Sequence, residues 1–130
     1  MNIFVLDENP NIAASMACDK HVVKMILESA QILSTVLRVS GMDYGYKATH
    51  ANHPCTLWAG KSLSNWNWLR ELASALNKEY RFRFEKEINH KSFSLTQSMP
   101  VPRIVDYGLT SFALAMPEAY KNKNPVIAYR

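Results

Sequence analysis

The chain has few of the residues and runs that define several classes of protein. It contains two cysteines and four glycines in 130 residues. Two cysteines are too few for the disulfide framework of a small secreted domain, and four scattered glycines leave no glycine-rich phosphate loop. No apolar run reaches the roughly 18 residues of a membrane span. Residues 1–7 lack the features of a signal peptide, so we expect a cytoplasmic protein with free thiols at Cys18 and Cys55.

The residues that are present indicate one globular domain. The chain is 48% apolar and has no internal repeat or low-complexity linker. A chain of 130 residues is long enough to bury a core. Its net charge of +4 permits a polyanionic partner without requiring one. We expect a single, monomeric domain over residues 1–130.

The first third of the chain predicts one long helix. Asn9 followed by Pro10 is a helix-start signal, with asparagine as the cap and proline in the first turn. Apolar residues then recur at helical spacing as far as Leu37, and the pattern stops near Gly41. Residues 3–6, which precede this helix, are expected to form a strand or an extended lead-in.

The remainder of the chain predicts a second long helix and several short elements. Residues 41–54 are rich in Gly, Asn, His and Pro and are expected to form a loop. Helical spacing returns over about 56–86, followed by an extended connection at 99–102. Pro117 and Pro125 each indicate the first turn of a short helix. We therefore predict an all-α fold in which two long helices pack across each other.

A stripe of polar residues follows one side of the first predicted helix. Glu28 lies seven residues, almost two turns, after His21, with Lys24 between them and Gln31 beyond. A carboxylate near an imidazole and an ammonium can be held in a chosen protonation state, as acid–base chemistry requires. The alternative is a solvated stripe on an amphipathic helix.

Basic and aromatic residues are interleaved in the second half of the chain. This combination suits contact with phosphates and stacking on bases. Helices that turn cations outward and bury their aromatic residues produce the same pattern. The residues concerned are Lys61, Arg70, Lys78, Arg81, Arg83, Lys86 and Lys91, with Trp66, Trp68, Tyr80 and Phe82.

A second group of candidate residues lies in the predicted loop. His50, His53 and Cys55, together with His21, are residue types that ligate zinc. No CxxC pair is present, and His53-Pro54 is also typical of the turn that begins a helix. A zinc-dependent hydrolase is therefore one alternative function.

Four segments together resemble the pyrimidine-dimer DNA glycosylases (endonuclease V type) of phages and bacteria. The similarity covers roughly residues 1–91, and the spacing from His21 to Glu28 is its most specific part. The segments are the apolar start Met1-Asn2-Ile3-Phe4-Val5-Leu6, Asp19-Lys20-His21 with Glu28, the stretch from Tyr46-Lys47 through His53-Pro54 to Leu57-Trp58, and the stretch from Trp68-Leu69 to Lys86.

This resemblance implies a glycosylase with abasic-site lyase activity and no cofactor or metal. The nucleophile is the amine at the start of the chain, here that of Met1, and Glu28 assists sugar ring opening and proton transfer. An α-amine has a pKa of about 7.7–8.0, so part of it is neutral at physiological pH. The apolar lead is expected to bury itself and to hold this amine beside the first helix, with His21 flanking the site.

The implied partner is double-stranded DNA with damaged or modified bases, in a phage-encoded or bacterial protein. We expect contacts to this DNA from Asn2, Lys20, Lys24, His50, His53, Arg70 and Arg81. A non-catalytic DNA- or protein-binding module, such as a phage accessory protein that keeps the fold, is the other alternative. A blocked amino terminus would abolish the lyase activity but leave simple binding intact.

Overall fold

The computed structural model describes residues 3–112, which form five α-helices. No strand lies within these residues, and the predicted all-α fold is confirmed. None of the described helices is long and apolar enough to cross a membrane. The helices are α1 (Pro10–Met16), α2 (Asp19–Val39), α3 (Pro54–Lys61), α4 (Leu63–Arg83) and α5 (Lys91–Ser98).

The core lies between the two long helices, α2 and α4, which cross and pack against each other. Helix α1 packs on α4, whereas α3 and α5 each contact both long helices. Two tryptophans of α4 lie within this core. The Trp66 indole donates to the Leu33 carbonyl at 3.3 Å and the Trp68 indole to the Glu8 carbonyl at 2.8 Å. Each buries a large apolar surface while its N–H group keeps a partner.

The predicted first helix is interrupted, which corrects the expectation of one continuous helix as far as Leu37. Asn9 caps its start as predicted, accepting from two backbone N–H groups. Ala17 and Cys18 are extended, with ψ of 142° and 160°. The guanidinium of Arg83 donates to the carbonyls of Ser15 and Ala17 at 3.0 and 2.5 Å. Carbonyls at the end of α1 thus bond to a distant side chain instead of continuing the helix.

The predicted second helix is also interrupted, at Ser62, whose φ of −150° is extended. It begins earlier than predicted, at Pro54, and ends at Arg83. The Asp106 carboxylate accepts from the Ser64 N–H at 3.1 Å and from the Ser62 hydroxyl at 3.0 Å. These hydrogen bonds supply the first turn of α4 with the acceptor that a helix start requires. They come from a residue over 40 positions away, so local spacing cannot reveal the break.

The loop between α2 and α3 is confirmed as irregular, and Arg38 at the end of α2 organises it. The Arg38 guanidinium donates to the carbonyls of Gly45 and Tyr46, both at 2.6 Å, and pairs with Asp43. Gly45 has a φ of 85°, and a Cβ there would lie 2.4 Å from the Ser34 hydroxyl oxygen. Only glycine adopts this positive φ without strain and also leaves room for the Ser34 side chain. The loop is therefore held close against α2.

Three further expectations concern the ends of the described chain. Residues 3–6 form an extended lead-in rather than a strand, and the extended connection at 99–102 is confirmed. Helix α5 was not predicted, because its serine-rich sequence has little apolar periodicity. The short helices expected at Pro117 and Pro125 lie outside the described residues.

Candidate functional site

The start of the chain lies across α2 beside His21. Ile3 and Val5 are buried, and the Phe4 ring stacks on the His21 imidazole with centroids 4.5 Å apart and planes 14° apart. Ile3, Phe4 and His21 also line one small cavity that extends to Met25 on α2. Stacking and burial fix both the lead-in and the imidazole ring. The apolar lead-in was predicted from the sequence, but Phe4 as the stacking partner of His21 was missed.

The same lead-in reaches Cys55 at the start of α3. The backbone of Ile3 forms a hydrogen bond to the Cys55 sulfur. Burial raises the pKa of the Cys55 thiol above its ordinary value; the hydrogen bond from Ile3 opposes this shift, and the negative charge of Glu28 adds to it. Ile3 and Glu28 thus both influence the Cys55 thiol. Cys55 is thereby held as a neutral thiol, which argues for a packing role rather than a nucleophilic one.

Glu28 lies on α2, seven residues after His21. Its side chain is half-buried, and its Oε2 is shielded from solvent. His21 and Gln31 on the same stripe are half-buried too, whereas Lys24 is exposed. The stripe is thus partly covered, with Phe4 stacked on His21, while Lys24 remains exposed to solvent. A carboxylate with one shielded oxygen is suited to proton transfer, because partial exclusion of water strengthens its electrostatic interactions.

His53 lies at the start of α3, two residues before Cys55. Its Nδ1 accepts from the Cys55 N–H at 3.1 Å and so caps α3. Burial lowers the pKa of His53, and the neighbouring His50 lowers it further. Both effects favour the neutral imidazole that this hydrogen bond needs. His50 itself is exposed and has a left-handed backbone, with φ of 49°.

The other residues expected to contact DNA have different surroundings. Lys20 and Lys24 are exposed on α2 beside the stripe. Arg70 donates to the Gln97 carbonyl at 2.8 Å and lies over the Trp66 ring at 5.4 Å. Arg81 donates to the Glu87 carbonyl at 2.8 Å and to the Lys86 carbonyl at 3.3 Å. All four remain predictions as DNA contacts, and Met1 and Asn2 lie outside the described residues.

The aromatic residues of α4 are turned mostly inward. Trp66 and Trp68 are buried and Tyr80 is half-buried, whereas Phe82 is exposed. For the two tryptophans, the structure therefore supports the alternative in which a helix buries its aromatic residues and turns its cations outward. They are not available for stacking on bases.

Metal ligation gains no support from residues 3–112. Within that range, no three side chains among His, Cys, Asp and Glu are close enough to hold an ion. The zinc hypothesis, which needs His21, His50, His53 and Cys55 together, is thus not favoured. The prediction of free thiols is confirmed, with Cys18 exposed and Cys55 buried.

Comparison with known proteins identifies no relative of this chain. No family model matches the chain, and neither a curated protein nor a solved structure is significantly similar to it. The resemblance to pyrimidine-dimer DNA glycosylases thus rests on its four sequence segments and stays a prediction.

Proposed function

We propose that this protein is a DNA glycosylase with abasic-site lyase activity that uses the amine of Met1. The observation that supports this most strongly is the stack of Phe4 on His21, with centroids 4.5 Å apart, which places the start of the described chain against the helix that carries Glu28. Two extended residues span at most about 7 Å, so covalent geometry keeps the α-amine within that reach of Ile3. A nucleophilic amine and a carboxylate can then act on the same sugar.

The chemistry follows from these two groups. The neutral amine forms a bond to the sugar C1′ while the C1′–N bond to the base breaks, and the base departs with a proton. The sugar ring opens to give a protonated Schiff base. Loss of a proton from C2′ then breaks the C3′–O bond and cuts the strand. Glu28 would deliver a proton during ring opening and accept one during elimination.

His21 and the lysines of α2 would position the substrate. The stack with Phe4 holds the His21 ring in place, so its nitrogens can contact a phosphate or sugar next to Glu28. Lys20 and Lys24 are exposed on the same helix and suit contacts to neighbouring phosphates.

The substrate class is double-stranded DNA with a damaged or modified base. Such bases pair and stack less well, so it costs less to move them out of the helix than an intact base. The proposal also includes a monomer in the cytoplasm of a bacterium or a phage-infected cell, acting without a metal or cofactor.

Reductive trapping tests the proposal. Protein with its native amino terminus is mixed with duplex DNA that carries an abasic site or a thymine dimer, treated with borohydride and run on a denaturing gel. We expect a covalent band and strand cleavage, both weakened by Glu28→Gln but unchanged by the control Glu71→Gln on the exposed surface of α4. An amino-terminal extension is expected to abolish both signals.

The non-catalytic alternative makes the opposite prediction. A binding module would retain the DNA without a covalent band, and neither the extension nor Glu28→Gln would change its affinity. Circular dichroism melting of each variant excludes loss of folding as the reason for a missing band. A folded wild-type protein that gives no band on either DNA would overturn the proposal.

A further inference from the structure

A groove of about 800 Å³ lies at the far end of α2 from His21. It is bounded by the last turns of α2, by α3 and by the chain at 103–104. None of the candidate catalytic or DNA-binding residues lines it. Its walls include Val39, Thr56, Leu57, Trp58, Lys61 and Arg103.

The groove combines an apolar lining with two cations. Val39 and Leu57 are 69% and 56% exposed, so large aliphatic side chains face solvent there. Lys61 and Arg103 are exposed at the same groove, and within residues 3–112 neither forms an ion pair with a carboxylate. An apolar surface with positive charges complements a ligand that is itself apolar and negatively charged.

Thr56 supplies an independent observation. It lines the groove, is only 4% exposed, and its Oγ1 has no hydrogen-bond partner within the described residues. A buried hydroxyl without a partner is destabilising, because its lost hydration is not replaced. Rotation of χ1 by about 120° moves the hydroxyl to another staggered position, where Oγ1 would reach a bound molecule.

We propose that this groove is a second binding site, for a small organic anion with an apolar body. Its volume lies within the range of small-molecule sites, roughly 300–1,000 Å³. Lys61 and Arg103 would pair with the anionic group, the aliphatic residues and Trp58 would cover the body, and Thr56 would bond to a polar atom of the ligand. This site does not depend on the lyase activity.

Two fluorescent probes with the same rings test the proposal on the full chain. One is 8-anilinonaphthalene-1-sulfonate, an apolar anion, and the other is N-phenyl-1-naphthylamine, which lacks the sulfonate. We expect one equivalent of the anion to bind with higher affinity than the neutral probe. Lys61→Gln with Arg103→Gln should raise its dissociation constant about fivefold or more, since each exposed ion pair contributes modestly. The neutral probe should be unaffected by that double variant.

Two sets of variants locate the bound probe. Val39→Glu places a carboxylate at the groove and should weaken anion binding, whereas the uncharged control Val39→Gln should not. Thr56→Val removes only the hydroxyl and should weaken binding of the anion. Lys78→Gln with Lys86→Gln, which removes two exposed charges from α4 and the turn after it, should leave binding unchanged.

Two results would overturn the proposal. Equal affinity for both probes, insensitive to the Lys61 and Arg103 variants, would show that the groove does not select anions. Self-association in sedimentation velocity that Val39→Glu abolishes would show instead that a second copy of the chain covers the groove. Near-ultraviolet circular dichroism confirms that each variant keeps its packed core, because loosely packed states also bind the sulfonate probe.

Discussion

Helices α2 and α4 have the same length, 21 residues, but their cations have different surroundings. On α2, Lys20 and Lys24 are exposed and form no salt bridge with any described residue. On α4, Arg70, Arg81 and Arg83 all donate to backbone carbonyls of other segments. Arg70, Arg81 and Arg83 of α4 thus hold other parts of the chain in place, as Arg38 does at the end of α2, whereas the exposed Lys20 and Lys24 of α2 have no such role among the described residues.

The difference follows from side-chain chemistry. A guanidinium presents five N–H donors in a rigid plane and can serve several carbonyls at once, whereas an ammonium is a flexible, strongly hydrated charge. Sequence patterns count both as positive charge. Arginines in a basic stretch can therefore be part of the fold, and the number of basic residues overstates the surface available to DNA.

Loss of Arg83 is expected to have the largest effect on stability. Its guanidinium bonds to Ser15, Ala17, Asp19 and Glu79. Arg83→Met keeps the aliphatic stem but removes these hydrogen bonds, and we expect the free energy of unfolding to fall by about 2–4 kcal/mol. Urea denaturation measures this change.

Lys24→Met is the matched control, on the exposed surface of α2. We expect it to change the free energy of unfolding by less than about 0.5 kcal/mol. Equal losses in the two variants would show that Arg83 and Lys24 do not differ in role.

The histidine caps should have the next largest effect. His53 and His90 each accept a backbone N–H through Nδ1, at the starts of α3 and α5. Replacing either by Ala removes the cap and should cost about 1 kcal/mol, whereas Asn can keep it. The difference between the Ala and Asn variants in urea denaturation checks this expectation.

These caps also predict a pH dependence. Burial lowers the pKa of both imidazoles below 6.5, so near pH 6 the unfolded chain binds protons that the folded chain does not. Their stabilising contribution is complete above about pH 6.5 and is lost as pH falls through the folded pKa values. We expect the double variant His53→Asn with His90→Asn to have a smaller slope of unfolding free energy against pH near pH 6. An unchanged slope would contradict the role of these two histidines in the pH dependence.

A smaller effect is expected at the start of α4. Hydrogen bonds from Ser64, Gly108 and Ser62 lower the pKa of Asp106 to about 2. This carboxylate therefore stabilises the folded protein above its unfolded pKa of 3.8, and that stabilisation is lost as pH falls through about 2. Asp106→Asn should destabilise the protein less than Arg83→Met, because the carboxylate is exposed. A carboxyl NMR titration with a midpoint near 4 would contradict this description.

The smallest effect on stability is expected for Lys20→Met with Lys24→Met, which should instead weaken DNA binding. If each lysine neutralises one phosphate, the slope of log affinity against log salt should fall by about 2. Fluorescence anisotropy with a duplex checks the slope. Arg81→Met should change it less, because that guanidinium already donates to the Glu87 carbonyl.

Local signals in the sequence predicted much of the helical framework. The Asn9 cap, the apolar spacing of the long helices and the connection at 99–102 all depend on neighbouring residues. The breaks at Ala17 and Ser62 depend on Arg83 and Asp106, which are distant in sequence. Spacing along a helix cannot reveal acceptors or donors that arrive from another segment.

The candidate site was predictable to a similar degree. The spacing of His21 and Glu28 placed both on one face of a helix, as found on α2. The stack of Phe4 on His21 and the hydrogen bond from Ile3 to Cys55 arise from how the lead-in crosses α2. That crossing is a tertiary feature and has no periodic signal in the sequence.

Identification of the trapped residue tests the central claim most directly. The borohydride-reduced complex with abasic-site DNA is digested with nuclease and trypsin, and the modified peptide is sequenced by mass spectrometry. We predict that the sugar remnant is attached to the α-amine of Met1. Attachment to Lys20 or Lys24, with an unmodified amino terminus, would contradict the proposal that the start of the chain supplies the nucleophile.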